Sequence, residues 1–437
     1  MSRYASLIVV AVLALGLAPG AHAVTEVQWW YSNTGALGKE LNKIATDFNA
    51  RQSDYKIVPV FKGGYADSMA AAIAAFRAGK APAILQVFEV GTATMMAAKG
   101  AIVPVYKVMK EGGEKFDPNA YIPAIRTYFS DSHGRMLSLP FNISTPVFYY
   151  NKDAFAKAGL DTAKPPATWP EFAKDAEKLK AAGVSCPFTT AWLSWIQLEN
   201  FSAWHNLPFA SNHNGFGGLN TRLRFNGPLQ VRHITNLAKW HSEGLFVYGG
   251  RHSGPEAMMI SGKCAMLTSS SGAYGKIVSR AKFKFGVAPL PYYPDVKGAP
   301  QNTIIGGATL WVMAGQPKDV YKGVAKFFAY LSTPAVQAEW AEKTGYLPVT
   351  KAAFDLLKKQ GKLDQLPSVD VGIRELNNKA PTANSKGLRL GNFLQIRSVI
   401  DDQLEAVWSG KKTAKQGLDE AVSRGDTWLA KFAAANK

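Results

Sequence analysis

The feature that most constrains this chain is an alternation of β-rich and helix-periodic segments across residues 27–99. Residues 27–31 are β-rich, and Leu37, Leu41, Ile44, Ala45 and Phe48 then recur at helical spacing on a polar background, so a strand is followed by an amphipathic helix. Residues 55–61 read as a second strand, 69–78 as an Ala-rich helix, 84–88 as a third strand and 92–99 as another helix. Successive β-α units are joined by right-handed crossovers, so this order predicts a mostly parallel sheet covered on both faces.

The pattern changes at residues 136–151, where MLSLPF and TPVFYYN are interrupted by Asn142, Ser144 and Pro146. This reads as a first passage into a second lobe with its own β-α series. That series opens with a helix after Thr168, whose T-x-x-E capping box is closed by Glu171 and whose end is set by Gly183. Strands are expected at 186–190, 223–225 and 264–268, with a helix over 229–241. Residues 285–289 lead through a Pro-rich stretch, read as a second passage, into a strand at 304–313 and a helix at 320–331. A third passage is expected at 346–349, and helices near 394–407 and 414–432 return to the second lobe. The expected division is a leader of 1–23, a first lobe of 24–138 and 297–345, and a second of 142–292 and 350–437. The hinges fall near 139–141, 293–296 and 346–349. At 437 residues the chain gives each lobe enough length for its own core.

The leader sets the expected compartment. Arg3 supplies a positive start, residues 7–17 are apolar, and Ala21-His22-Ala23 has the small-x-small pattern of a cleavage site, so export and cleavage after Ala23 are expected. No later run reaches the roughly 18 uninterrupted apolar residues of a membrane span, and no Cys follows the cleavage point to carry a lipid. A free periplasmic protein is the expectation. Without Arg3 the chain carries 49 basic and 32 acidic residues, or +17. The basic residues are spread along the chain, which with export argues against nucleic acid and leaves a solvated basic surface or an anionic small ligand. Cys186 and Cys264 are the only cysteines. An oxidising compartment permits a bridge between neighbouring strands of the second lobe, with two buried thiols as the alternative.

No motif with catalytic spacing is present: there is no H-E-x-x-H, G-x-S-x-G or Walker-type loop, and the seven His form no metal-ligand pattern. Binding features are more numerous. Ser144 with Thr145, Ser269 to Gly272, and Gly306 with Gly307 stand at predicted strand ends, where free helix N–H groups favour anions, though each turn equally suits a plain helix cap. Trp29, Trp30, Tyr31, Tyr65, Trp192, Trp195, Trp204 and Tyr346 offer flat faces to a polyol, or serve as core; Trp192 and Trp195 are the pair expected at a cleft. Glu89 ends the apolar run ILQVF and suits the hydroxyls of a polyol, while the guanidinium of Arg397 suits a bidentate phosphate contact. The alternative for both is an ordinary ion pair.

The runs GGYADSMAAAIAAFRAGKAPAILQVFEVGTATMMA, IQLENFSAWHNLPFAS, IIGGATLWVM, EKTGYLPVTKAA and KGLRLGNFLQIR resemble the periplasmic sn-glycerol-3-phosphate-binding proteins of Ugp-type ABC importers, over essentially the whole mature chain. The resemblance implies a two-lobed α/β fold of the type II, maltose-binding-protein-like class, with three hinge crossings and a ligand between the lobes. It implies that Tyr65, Glu89, Ser144, Ser270, Gly307, Tyr346 and Arg397 contact sn-glycerol 3-phosphate, with Trp192 lining the same cleft. It further implies glycerophosphodiesters as ligands, permease subunits as partners, a monomer, and no cofactor or metal. The expected roles are Glu89 on the glycerol hydroxyls, Tyr65 and Trp192 as walls, and Arg397, Tyr346, Ser270 and the Gly307 N–H on phosphate. AWLSW departs from the family's glycine-containing SGWQGW pattern at the Trp192 wall. A neutral oligosaccharide binder and a secreted hydrolase remain the competing readings.

Overall fold

The computed structural model describes residues 24–437. The expected leader and its cleavage point lie outside the described residues. Among the described residues ten strands form two mixed sheets: β1 (Thr25–Tyr31), β2 (Tyr55–Phe61), β3 (Ile84–Phe88), β4 (Ile102–Val103), β5 (Leu139–Ser144), β6 (Pro146–Asn151), β7 (Cys186–Thr190), β8 (Cys264–Ser270), β9 (Phe285–Ala288) and β10 (Gly306–Met313). The first sheet runs β2-β1-β3-β10, and the outer edge of β10 is shared by β5 and β4. Its core packs Val27, Trp29, Ile84 and Leu310 against Phe327 and Phe328 of helix Lys318–Leu331.

The expectation of a mostly parallel sheet needs correction. β1, β2 and β3 are parallel, but β10 is antiparallel to β3, β4 and β5. No crossover helix delivers β10 from β3; it arrives from the second sheet and enters where β3 ends, with Ala308 opposite Phe88. That reversal brings Gly306 and Gly307 to the carboxyl end of β3.

The second sheet runs β7-β8-β6-β9, with β7 parallel to β8 and β6 antiparallel to both β8 and β9. Cys186 and Cys264 are register partners on β7 and β8 and form a disulfide. Helices Phe393–Trp408 and Ala414–Ala435 pack on each other and on helix Pro228–Ser242 in this lobe. The Thr168–Glu171 capping box forms as the spacing predicts. Residues 223–225, expected as a strand, make only a single bridge from Leu223 to Ala210. The Leu223 N–H donates instead to Asp426 Oδ1 at 2.8 Å, so a helix side chain takes the donor a sheet neighbour would have used.

The chain changes sheet later than the pattern suggested at the first two passages, and at the third it stays longer with the first lobe. Leu139–Ser144 pairs with β10, so the first change falls at Thr145 and not at 139–141. The second falls just before β10, because Gln301 N–H bonds the Trp204 carbonyl and Ile304 N–H bonds Asn200 Oδ1, holding both with the second lobe. The third passage runs beside β5, with Leu347 bridged to Ile143. Residues 350–359 then stay with the first lobe: Thr350 bonds Gln337, and helix Lys351–Lys359 packs on helix Pro334–Thr344. The chain rejoins the second lobe with helix Pro367–Leu376, which packs against β6 and β9. Among the described residues no helix is long and apolar enough to cross a membrane.

Candidate functional site

Strand register draws most of the expected residues to one place between the lobes. Gly306 lies opposite Ser144 in the first sheet, Pro146 lies opposite Ser270 in the second, and the Ile143–Leu347 bridge brings Tyr346 beside them. Backbone space is tight here. Gly307 has φ +88°, and a Cβ on it would fall 1.9 Å from the Asn142 carbonyl oxygen, so only glycine fits. The Tyr346 ring lies on Gly272, where a Cβ would come within 2.7 Å of it.

One end of the cluster is built from hydroxyls and backbone. Tyr65 opens helix Tyr65–Arg77, and its ring stacks on Phe88 with centroids 4.9 Å apart. Its phenolic oxygen accepts from Asn142 Nδ2 at 2.9 Å; Asn142 Oδ1 accepts from Gln86 Nε2, and Gln86 Oε1 accepts from the Ser32 N–H. Tyr346 stacks on Trp340. Burial raises both phenols above their ordinary range, most strongly Tyr346, so both remain O–H donors at neutral pH. Ser270 Oγ accepts the Gly272 N–H at 3.1 Å, capping the turn that leads into helix Tyr274–Arg280, and its own proton remains to be donated.

The other end is charged. Arg397, on helix Phe393–Trp408, reaches across to Glu89, which follows β3: its Nη2 donates to Glu89 Oε1 at 2.6 Å. Nε and Nη2 also clamp both oxygens of Glu199 at 2.7 Å. Side-chain exposures of 11% for Arg397, 6% for Glu89 and 1% for Glu199 mean that little water screens this trio, whose formal charge is −1 with all three ionised. Burial pushes the Glu89 carboxyl up; Arg397 pulls it back down and Glu199 raises it further. One turn along the helix, burial raises Asp401 to about 7. In this arrangement the fork of Arg397 holds a carboxylate, and a dianion beside a net negative trio would be repelled. Glu89 Oε2 has no side-chain partner, and Arg397 Nη1 no hydrogen-bond partner, among the described residues. An acceptor beside a donor matches a hydroxyl, which needs one of each.

Trp192 stands just beyond β7 with φ +49°, its N–H on the His252 carbonyl and its ring stacked on the His252 imidazole. Burial raises the Glu256 carboxyl above its ordinary range, and Lys276, Ser269 and the Trp192 side chain pull it back down. Trp195 is 5% exposed, and its ring lies on Gly306, opposite Ser144. Trp29, Trp30, Tyr31 and Trp204 are core residues as well.

Glu199, Asn142, Gln86 and Glu256 were not singled out by sequence reasoning. Glu199 did leave a signal: a lone carboxylate among the apolar residues of WIQLENFSAW must be paired if buried. The same segment, Trp195–Asn200, winds as a π-helix, a form that clusters at functional sites.

Two α/β lobes joined by three passages, with a polar cluster at the strand ends between them, define an extracellular solute-binding protein. The chain belongs to that family, matching the bacterial extracellular solute-binding proteins over residues 43–366. Closer similarity is to particular members. It is 55% identical over 426 residues, 97% of either chain, to the sn-glycerol-3-phosphate-binding periplasmic protein UgpB of Yersinia pseudotuberculosis. It is 54% identical over 428 residues to UgpB of Escherichia coli, covering 97% of this chain and 98% of that one. Among solved structures, UgpB of Mycobacterium tuberculosis with glycerophosphocholine superposes with a TM-score of 0.78 at 21% identity, covering 94% of this chain and 99% of that one. Maltose-bound MalE3 of Thermotoga maritima gives 0.77 at 17% identity, covering 92% and 100%. The fold is thus the type II, maltose-binding-protein-like architecture.

Proposed function

We propose that the chain is the periplasmic binding component of an ABC importer, and that it holds sn-glycerol 3-phosphate between its lobes and delivers it to the permease without chemical change. Glycerophosphodiesters are further ligands in this reading, and the protein acts as a free monomer after cleavage at Ala23. The observation that carries it is the two-ended cluster. The phosphate is assigned to the end formed by Tyr65, Ser144, Ser270, Gly307 and Tyr346, where hydroxyls and N–H groups converge without a facing trio of charges. The glycerol hydroxyls are assigned to Glu89 and Arg397, with Trp192 as the wall along the carbon skeleton. The names of the Yersinia and Escherichia relatives, and the glycerophosphocholine bound to the mycobacterial protein, support the same ligand class.

The test is calorimetric titration with sn-glycerol 3-phosphate, glycerophosphocholine, glycerol and maltose. The two phosphate esters are expected to bind, and glycerol alone to bind far more weakly. Binding of maltose without glycerol 3-phosphate would move the protein to the oligosaccharide binders. Release of choline from glycerophosphocholine by the pure protein would replace carrier with hydrolase.

A further inference from the structure

The KGLRLGN run holds a cation that the site does not use. Arg389 belongs to the second lobe: its N–H bonds the Asn214 carbonyl at 2.9 Å, and Asn214 is itself tied to the N–H groups of Phe209 and Ala210. Its guanidinium points to the first lobe. Nη2 donates to the carbonyls of Thr127 at 3.2 Å, Tyr128 at 2.9 Å and Ser130 at 2.9 Å, around the carboxyl end of helix Pro123–Tyr128. The Tyr128 carbonyl closes the helix, the Thr127 carbonyl takes only the Ser130 N–H at 3.4 Å, and the Ser130 carbonyl lies just past the end, so a cation suits them. The Phe216 ring covers the guanidinium at 4.2 Å and meets Tyr128 edge-on at 6.4 Å. Gly387 lies against the other side of the contact, where a Cβ would come within 2.5 Å of the Tyr128 ring. The second lobe thus grips the end of one helix of the first.

Two details give the grip a function. Arg389 pairs with no carboxylate among the described residues, and its buried Nε has no partner. A cation desolvated by carbonyl dipoles and one aromatic face gives up its water for a modest return, so the contact adds to closure without making it permanent. Tyr128 also carries the contact toward the site, because its hydroxyl donates to the Glu89 carbonyl at 3.4 Å.

We propose that Arg389 is an interlobe clasp, a positioning residue that touches no ligand and sets the affinity for every ligand by stabilising the closed arrangement of the lobes. A contact present only when the lobes meet multiplies the affinity of whatever closes them, by the same factor for each ligand. The inference rests on the proposed function only in that ligand closes the cleft.

The test combines two readouts on Arg389→Ala and Thr127→Glu. Thr127 is exposed, and glutamate there supplies the carboxylate that Arg389 lacks. Spin-label distances between the exposed positions Lys110 and Lys239, one on each lobe, are measured without ligand; affinities for glycerol 3-phosphate and glycerophosphocholine are measured by calorimetry. Arg389→Ala is expected to shrink the short-distance population and to weaken both ligands by a common factor of about ten, the worth of one charge-assisted bond. Thr127→Glu is expected to enlarge that population and tighten both ligands. Unchanged distances in both variants would overturn the clasp, as would a loss confined to one ligand, which would make Arg389 a ligand contact. Should neither ester bind the native protein, the ligand-free distances still decide the clasp while the proposed function fails. Should Arg389→Ala not fold, Thr127→Glu decides alone.

Discussion

The two ends of the interlobe cluster solve the same problem, presenting polar groups in a place almost without water, by opposite means. At the Glu89–Glu199–Arg397 end, charges are buried and each is answered by another charge within 2.7 Å. At the Tyr65–Ser270–Gly307–Tyr346 end the groups are neutral, and they are held by amides, ring stacking and glycine geometry. A charged end is costly to break and sensitive to pH. A neutral end depends on shape, so its weak point is a single added methyl group.

The largest effect should come from Arg397→Ala, which leaves Glu89 and Glu199 buried with no cation between them. The expected loss is about 3–5 kcal/mol of stability by urea unfolding at neutral pH, typical of removing one partner of a buried ion pair. A loss below about 1 kcal/mol would mean that water reaches the trio and that the ends differ less than the burial indicates. Gly307→Ala is the counterpart at the neutral end. A left-handed backbone and the collision with the Asn142 carbonyl should together cost about 3 kcal/mol and disturb the β5–β10 register, read as lost amide-exchange protection along β5.

A smaller effect concerns pH. Burial raises Asp401 from an ordinary value of 3.8 to about 7, so between those limits the folded chain holds a proton that the unfolded chain has released. Stability contributed by this group is therefore lost as pH rises from about 4 to 7, with a slope of up to about 1.4 kcal/mol per pH unit. Glu89, raised in the same sense, adds to the slope above 4.5. Asp401→Asn should flatten the profile, and an unchanged profile would remove Asp401 from the account. The smallest effect is that of Ser270→Ala, which deletes a cap worth about 1 kcal/mol and one hydroxyl donor, so glycerol 3-phosphate affinity should fall severalfold with little change in thermal midpoint.

The same contrast explains what could be read from the chain. β2, β3 and β7 stand where their compositions put them, because a strand's pattern is local. The direction of β10 and the late changes of sheet were not legible, since they depend on which distant strand accepts a segment's hydrogen bonds. The apolar residues among 223–225 fit a sheet, but the Leu223 N–H is taken by Asp426 from 203 residues away. At the site, Glu89 and Arg397 could be picked out singly. Their pairing across 308 residues, and the share of Glu199, arise only when the lobes are built. Read in isolation, Arg397 suggested phosphate because a guanidinium does; its two carboxylate neighbours are why the phosphate is proposed at the other end.

The division of labour between the two ends is tested most directly by titrating the native protein and Glu89→Gln with sn-glycerol 3-phosphate and with propyl phosphate, which keeps the phosphate and lacks both hydroxyls. Glu89→Gln is expected to weaken glycerol 3-phosphate by about ten- to a hundredfold, the value of a charge-assisted hydroxyl bond, and to leave propyl phosphate unchanged. A gain in propyl phosphate affinity would contradict the account, because it would show that the Glu89 carboxylate faces the phosphate and that the charged end is not the hydroxyl end.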